Sequence, residues 1–335
     1  MKNTLQVANI GMMFGMSHIE GAMAYGAEIA LICDSNPDTL RAAGERYGIP
    51  EEKWVTDYMD IVNNENIDVV SVAIPDQQHK QVCCDLLRAG KHVLCEKPLA
   101  LTREDVEDII KAADESGCKF MVGQICRFTP AFEKAKEIID AGIIGELYFI
   151  ESEYAHDYMT FLKGWRADPK RHGVVGGGCH AVDLIRWLAG DPIEVFAYGM
   201  HKLLPMVTYD DATIAIMKFN DNLAGKVFVS TGCKRDYTMR TVIYGTKGTI
   251  ICDNTSPTLT LFTTDENGIT QEPQIIDINV NNHNAAKEFE VFADAIINDK
   301  KVMTDAREGA KTVEVCLAII ESAKTGQIVK PDYAF

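Results

Sequence analysis

The chain has 335 residues, of which 47% are hydrophobic and 24% charged, and its formal net charge is −16. These values are typical of a globular protein in water, and the length predicts about two domains. A surface this acidic repels nucleic-acid phosphates and anionic lipids, so we expect neither as a partner.

The cysteines and the apolar runs indicate the cellular compartment of the protein. The ten cysteines form no C-x-x-C pair and several lie in apolar runs, which is typical of reduced, buried thiols and disfavours a disulfide framework or a zinc site. The sequence has no apolar leader and no run of about 18 apolar residues. We therefore expect a cytoplasmic protein.

The first 125 residues alternate between strand and helix patterns. Residues 5–10 and 28–33 predict strands, and the turn at residues 11–15 opens a helix between them. Asp34 lies 23 residues beyond Gly11, at the spacing of a carboxylate that binds the ribose of a dinucleotide. Asp34 repels a 2′-phosphate and the next residue, Ser35, supplies no cation, so the sequence favours NAD over NADP.

The glycine signature of this turn is incomplete. It reads G-x-x-x-G instead of G-x-G-x-x-G, and Met13 stands near the place of the middle glycine. The turn alone is also compatible with an ordinary tight connection between a strand and a helix. The residues expected to contact the cofactor in this region are Gly11, Met13, Phe14, Gly15, Asp34 and Ser35.

Two further strand ends carry candidate residues. Pro75 and His79 follow a strand at residues 68–74, and Glu96 and Lys97 follow the strand that ends at residue 95. Ligands bind at the carboxyl ends of parallel strands, so we expect these residues at the cofactor; the alternative at Lys97 is an ordinary charged turn. Helices at 36–47, 56–63 and 102–116 and a strand at 119–122 complete an α/β Rossmann domain, a doubly wound parallel sheet over residues 1–125.

The pattern changes at residue 126. A helix at 130–141 precedes strands that alternate apolar and polar residues and follow one another directly, which predicts an open antiparallel sheet in an α+β domain over residues 126–335. The strands are predicted at 147–154, 193–201, 213–219, 224–231, 238–244 and 248–252, and two closing helices near 283–298 and 305–322.

One stretch of the second domain combines three glycines with ionisable residues. Residues 176–178 are glycines, which let the backbone approach a ligand closely. His180 and Asp183 are three residues apart and share one helix face. The alternative interpretation is a helix start with a capping histidine.

The E-K-P run at residues 96–98, the nucleotide fold before it and the G-x-H-x-x-D-x-x-x-W run at residues 178–187 occur together and in order. Together they resemble the Gfo/Idh/MocA oxidoreductase family over nearly the whole chain. The resemblance implies a nicotinamide-binding N-terminal domain, a substrate-binding C-terminal domain with an open antiparallel sheet, and substrates that are sugars, cyclitols or their derivatives. It also implies a homo-oligomer, a dimer or tetramer formed through that sheet.

The resemblance assigns roles to individual residues. Lys97 matches the motif lysine at the reacting carbon, His180 the acid/base residue and Asp183 the acid after it. The chain departs from the family at the shortened glycine loop and at Gly176, where many members carry aspartate; the latter change widens the pocket or leaves proton transfer to Lys97 and His180. Loop residues expected to contact substrate, with a solvated loop or surface turn as the alternative, are His156, Trp165, Arg166 and Tyr237.

We therefore predict an NAD-dependent oxidoreductase that acts on the CH–OH group of a sugar, cyclitol or glycoside. One alternative is an enzyme with tightly bound NAD that oxidises a ring carbon transiently, for glycoside cleavage or elimination. Another is a non-catalytic, NAD-sensing binding protein. The spacing of His156, Asp157 and His180 matches no metal site, so none is expected.

Overall fold

The structure, a computed structural model, describes residues 4–160 and 162–335. The chain divides into two compact units. The first comprises the residues up to Gln124 together with Asn284–Ala310 and Phe335, and the second comprises Ile125–His283 and Lys311–Ala334. The division lies next to the predicted boundary at residues 125 and 126. Asn284–Ala310, which the sequence placed in the second domain, belongs to the first unit.

The sheet of the first unit is parallel and doubly wound, as predicted. Its strands are β1 (Gln6–Ile10), β2 (Glu28–Cys33), β3 (Trp54–Val55), β4 (Val69–Val72), β5 (His92–Glu96) and β6 (Phe120–Gly123). Their spatial order is β3-β2-β1-β4-β5-β6. The order reverses between β1 and β4, and the carboxyl ends of these two strands border the crevice in which such sheets bind ligands.

Side-chain caps fix the starts of several helices. The helices are α1 (Met12–Tyr25), α2 (Pro37–Tyr47), α3 (Met59–Val62), α4 (His79–Arg88), α5 (Arg103–Ser116), α6 (Pro130–Asp140), α7 (Cys179–Ala189), α8 (Ala285–Ile297) and α9 (Ala306–Thr325). Asn36 caps α2 by accepting a hydrogen bond from the Asp38 N–H at 2.9 Å. Thr102 caps α5 by accepting from the Asp105 N–H at 3.2 Å. Within residues 4–160 and 162–335, none of the helices has the length and apolar composition that crossing a bilayer requires.

The sheet of the second unit is mixed. Its strands are β7 (Leu147–Ala155), β8 (Glu194–Met200), β9 (Ala212–Asn220), β10 (Leu223–Ser230), β11 (Arg240–Gly245), β12 (Gly248–Asp253), β13 (Thr258–Thr263) and β14 (Gln274–Asp277). Their order is β14-β13-β12-β11-β7-β10-β9-β8. β7 pairs with β10 in parallel and the other neighbours are antiparallel. One parallel pair therefore interrupts the predicted antiparallel arrangement.

The two faces of this sheet differ in burial: one is covered by a helix and the other is exposed. Buried and more exposed residues alternate along β9 and β10, and α7 packs on the inner face against β7 and β10. The outer face carries large apolar side chains, including Tyr198 and Ile216, which are 63% and 47% exposed. An exposed apolar patch on a folded protein often marks an interaction surface.

In the first unit, α1 packs closely against α8. A Cβ atom on Gly21 would lie 2.5 Å from the backbone oxygen of Ala285, so only glycine fits there. We expect Gly21→Ala to lower the free energy of unfolding by about 1–3 kcal/mol, because backbone cannot move aside as a side chain can.

Met23→Ala is the control for this substitution, since Met23 lies on the same helix and is 47% exposed. It should change stability by less than about 0.5 kcal/mol. Urea unfolding of both variants measures the difference, and equal stabilities would contradict the proposed contact.

Candidate functional site

The first candidate region is the turn between β1 and α1. Gly11 has φ 87°, and a Cβ atom there would lie 2.3 Å from the Ala73 carbonyl oxygen, so the position requires glycine. Gly11, the residue before α1, has no side chain to cap the helix, and Met13 and Phe14 are 63% and 57% exposed. A helix start of this kind presents backbone N–H groups and the positive end of the helix dipole to an anion such as a pyrophosphate.

Asp34 connects β2 to this turn. Its Oδ2 accepts a hydrogen bond from the Met12 N–H at 2.7 Å, and its Oδ1 accepts from the Asn36 N–H at 2.9 Å. The carboxylate is partly exposed, and Ser35 beside it is exposed. A close-packed glycine turn, the start of α1 and a carboxylate at the end of β2 are the donor and acceptor set that fits NAD.

His79 lies inside the fold. It is fully buried, and its Nδ1 and Nε2 atoms lie 2.9 Å from the Pro98 carbonyl oxygen and 3.1 Å from that of Ile74. The predicted cofactor contact at His79 therefore needs correction: both ring nitrogens face backbone oxygens, so His79 connects the loops after β4 and β5. Pro75 remains partly exposed at the end of the first of these loops.

Glu96 also makes its contacts within the protein. Its Oε1 lies 3.1 Å from His18 Nε2, and its Oε2 accepts a hydrogen bond from the Lys97 backbone N–H at 3.1 Å. Burial alone raises the pKa of Glu96, but the hydrogen bond and charge of His18, together with Lys97, lower it to about 2. Its charge therefore fixes the turn at Lys97, and its contact with the cofactor stays a prediction.

Lys97 itself is partly exposed at the carboxyl end of β5, and its bond to Pro98 is cis. His18 was not predicted as a site residue from the sequence. A buried histidine needs a polar partner, and His18 follows Gly15 by one helical turn. The partner, Glu96, is distant in sequence and could not be identified without the sheet order.

In the second unit, His180 lies in the first turn of α7, as the sequence predicted. The three glycines lie in a π-helical turn, Val174–Gly178, which leads directly into α7. His180 is 3% exposed, its Nδ1 lies 3.4 Å from Cys126 Sγ, and its ring stacks on Tyr154 at 6.0 Å between centroids. Two neighbours on other elements therefore fix the ring orientation.

His156, Tyr237 and His180 are brought together by Tyr154. The Tyr154 hydroxyl lies 3.2 Å from His156 Nδ1 and 2.7 Å from the Tyr158 hydroxyl, and the His156 and Tyr237 rings are 4.7 Å apart. Burial is the main cause that raises the pKa values of Tyr154 and Tyr237, so both phenols stay protonated at neutral pH. The result is a cluster of aromatic faces and hydroxyls around His180.

This cluster depends on glycine at position 177. A Cβ atom there would lie 2.2 Å from the Tyr158 hydroxyl and 2.7 Å from the Tyr154 ring. The absence of a side chain at Gly177 therefore leaves room for Tyr154 and Tyr158. This packing was not predicted from the sequence. Four further members of the cluster were not predicted as site residues: Cys126, Tyr154, Tyr158 and His283. The Nε2 atom of His283 lies 3.5 Å from the Tyr237 hydroxyl.

Asp183 lies in a buried ion pair. Arg127 donates to both carboxylate oxygens, from Nε at 2.9 Å and from Nη2 at 2.7 Å, and Thr312 Oγ1 donates at 3.0 Å. Asp183 and Arg127 are 0% and 4% exposed. The predicted substrate contact at Asp183 needs correction. This residue of α7 is enclosed, and both of its carboxylate oxygens bind Arg127.

Trp165 and Arg166 lie in a short 3₁₀ turn before the glycine run. The guanidinium groups of Arg166 and Arg171 lie 4.4 Å and 4.9 Å from the Trp165 ring centroid. Arg171 also donates to the Gly176 carbonyl oxygen at 3.1 Å, and a Cβ atom on Gly176 would lie 2.5 Å from Arg171 Nη1. Arg171 therefore fills the space beside Gly176, so the glycine at this position does not widen a pocket.

Comparisons with protein families agree with both units. Residues 5–124 match the model of the Gfo/Idh/MocA oxidoreductase family, NAD-binding Rossmann fold, and residues 132–251 match the Gfo/Idh/MocA C-terminal domain model.

Known proteins show the same similarity over most of the chain. Inositol 2-dehydrogenase of Salmonella typhimurium is 26% identical over 250 residues, 73% of each chain. The 1,5-anhydro-D-fructose reductase of Ensifer adhaerens is 27% identical over 321 residues, 91% of each chain. A solved levoglucosan dehydrogenase in complex with NADH superposes with a TM-score of 0.89 over 98% of this chain and 100% of its own, at 23% identity, which shows a common fold.

The ion pair of Asp183 leads to a prediction about stability. Asp183→Asn leaves the buried Arg127 cation without its carboxylate, so the free energy of unfolding should fall by about 3–5 kcal/mol. Asp157→Asn is the control, because the pair of Asp157 with Lys234 is at the surface and should contribute at most about 1 kcal/mol. Urea unfolding separates the two. Unchanged stability of Asp183→Asn with weakened substrate binding would restore the role expected from the sequence.

Proposed function

This chain belongs to the Gfo/Idh/MocA family of NAD-dependent oxidoreductases, and on that premise we propose that it acts on a ring hydroxyl carbon of a sugar, cyclitol or glycoside. The observation that carries the proposal is His180, which lies in a cluster of aromatic rings and hydroxyls beside a glycine-rich turn. The names of the two curated relatives, an inositol dehydrogenase and an anhydrofructose reductase, support this substrate class.

We propose that NAD is held by the residues at the carboxyl ends of β1, β2 and β4. When bound, NAD accepts a hydride from the carbon that is oxidised, or returns one in the reverse reaction. Asp34 accepts hydrogen bonds from ribose hydroxyls, and the start of α1 donates to the pyrophosphate. The residues proposed to contact the cofactor are Gly11, Met13, Phe14, Gly15, Asp34, Ser35, Pro75, Glu96 and Lys97; the buried His79 fixes the loops after β4 and β5.

The proton is handled by His180 and Lys97 in this proposal. Histidine exchanges protons near neutral pH, so His180 removes the hydroxyl proton during oxidation. The contact of His180 Nδ1 with Cys126 Sγ, at 3.4 Å, orients the ring for this role. Lys97 donates a hydrogen bond to the same substrate oxygen and stabilises its developing negative charge.

Substrate orientation falls to aromatic and polar side chains of the second unit. The rings of His156 and Tyr237 lie 4.7 Å apart, and Tyr237 also contacts Tyr154, which stacks on His180. Aromatic rings of this kind suit the C–H face of a sugar ring. Trp165 and Arg166 form a second aromatic and cationic pair in the loop before the glycines. We propose that these four residues contact the substrate and that Asp183 acts indirectly, by fixing α7.

We also propose a homo-oligomer, a dimer or tetramer, formed through the outer face of the second sheet. The exposed apolar side chains on this face support the proposal. Ile216→Lys should therefore shift the molar mass toward the monomer in light scattering. Ile269→Lys is the control, since Ile269 is 62% exposed in a turn outside the sheet. An unchanged mass for Ile216→Lys would contradict this interface.

The central test is NADH absorbance, with purified protein, NAD and pools of cyclitols, sugars and glycosides. One pool should yield NADH, and His180→Ala and Lys97→Met should each lower kcat/KM by about 10²–10⁴-fold. The controls are His201→Ala, at an exposed histidine of the second unit, and Lys111→Met, at an exposed helical lysine; both should retain activity.

The same assay separates the alternatives. An altered product without NADH would identify transient ring oxidation with retained cofactor. NAD binding with no product from any pool would support an NAD-sensing protein. Full turnover by Lys97→Met would overturn the role of Lys97.

A further inference from the structure

Two sulfur atoms lie beside His180 inside the second unit. Cys126 belongs to the 3₁₀ turn Ile125–Phe128, and Met239 directly precedes β11. Cys126 Sγ lies 3.4 Å from His180 Nδ1 and 3.4 Å from Met239 Sδ. Cys126, His180 and Met239 are 1%, 3% and 0% exposed, so these contacts form away from bulk water.

The thioether of Met239 decides the direction of the Cys126 thiol proton. A thioether sulfur has lone pairs and no hydrogen, so it only accepts hydrogen bonds. The thiol carries a single hydrogen, which cannot point to Met239 and to His180 at once. If it pointed to His180, lone pairs of the two sulfur atoms would face each other at 3.4 Å and repel. The thiol of Cys126 therefore donates to Met239.

This direction selects one tautomer of His180. Towards the imidazole, Cys126 presents a sulfur lone pair, and the contact at Nδ1 is a hydrogen bond when Nδ1 carries the proton. In a neutral imidazole one nitrogen is a donor and the other an acceptor, so Nε2 is then the nitrogen without a proton. Nε2 is therefore the atom of His180 that is able to take up a proton from a substrate hydroxyl.

Met239 is held in place for its contact with the thiol. Its backbone N–H donates to Asn254 Oδ1 at 2.6 Å, and its sulfur lies 3.6 Å from the Tyr237 hydroxyl. Burial raises the pKa of Tyr237, so this phenol stays protonated and is able to donate to the sulfur as well. Met239 thus connects Cys126 to the aromatic cluster around His180.

The aromatic neighbours of His180 do not select a tautomer. The ring centroids of Tyr154 and His283 lie 6.0 Å and 6.3 Å from that of His180, at interplanar angles of 23° and 34°. Such contacts between ring faces fix the plane of the imidazole, but they are similar for either position of the proton. The hydrogen bond with Cys126 is directional and therefore distinguishes Nδ1 from Nε2.

We propose that Cys126 and Met239 are positioning residues for His180: the thiol, oriented by the thioether, holds the neutral imidazole in the form that carries its proton on Nδ1. Both residues act through His180, and neither is assigned a contact with the substrate. The effect of this pair on turnover rests on the function proposed above, whereas the tautomer of His180 does not.

The first test needs no activity. In protein labelled with ¹⁵N in its histidine rings, at mildly alkaline pH, His180 should show a protonated Nδ1 and an unprotonated Nε2. Loss of these signals in His180→Ala assigns them. Imidazole in water favours the opposite tautomer, so this result reports on the contact with Cys126. A proton on Nε2 in the wild type, alone or together with one on Nδ1, would overturn the proposal.

The second test removes the acceptor of the thiol proton. Met239→Leu nearly keeps the side-chain volume but leaves the Cys126 thiol able to donate to His180, so the population with a proton on Nε2 should rise. Met217→Leu is the control, because Met217 lies on β9 and is also 0% exposed. It should leave the His180 signals unchanged, and equal spectra for the two variants would contradict the role of Met239.

The third test measures turnover. Cys126→Ala and Met239→Leu should each lower kcat about 10-fold, with the affinity for NAD unchanged within about twofold, because the wrong tautomer cannot accept the substrate proton. Cys126→Ser should recover part of the loss, since a hydroxyl is able to accept from Nδ1 and donate to Met239. Cys252→Ala, at a buried thiol of β12, should behave as wild type.

The three tests separate this proposal from the proposed function. If no pool gives NADH, the proposed function fails, while the two NMR measurements still decide the tautomer of His180. If the wild type turns over a substrate, wild-type kcat in both Cys126→Ala and Met239→Leu would refute the positioning role.

Discussion

The carboxylate of Glu96 connects the two features on which the first unit depends, the start of the nucleotide-binding fold and the turn that presents Lys97. One oxygen contacts His18 on the helix that follows the glycine turn, and the other accepts a hydrogen bond from the Lys97 backbone. Its ionised form is maintained against burial by His18 and Lys97. Because a carboxylate at this place needs a compensating group, the placement of the lysine and the composition of α1 are physically coupled.

The second unit solves a related problem with aromatic groups. His180 is a buried polar residue, and its ring is fixed by a thiol on one side and by the face of Tyr154. Gly177 makes room for the tyrosines, and the ion pair of Asp183 with Arg127 supports the helix that carries His180. The imidazole of His180 is therefore held in place by the space at Gly177, the packing of Tyr154 and the buried ion pair of Asp183.

The sequence predicted the order of the elements well and the partners of polar residues poorly. The strand–turn–helix periodicity revealed the parallel sheet, and the E-K-P and glycine runs identified Lys97 and His180 as candidates. His79 and Asp183 were predicted to contact ligands, but both are enclosed and bound to other protein groups, and Glu96 has a protein partner that was not predicted. Those groups lie on elements that are distant in sequence, and hydrophobic patterning gives no information about which polar atoms meet. The return of α8 to the first unit was missed for the same reason.

The most direct test of the account follows a label from carbon to cofactor. Cyclitols, sugars and glycosides deuterated at their ring carbons are incubated with the protein and NAD, and the nicotinamide is analysed by mass spectrometry. We expect deuterium in free NADH from one substrate class, and its loss in the His180→Ala variant. Absence of deuterium from the nicotinamide with every class, in protein that binds NAD, would contradict hydride transfer by this chain.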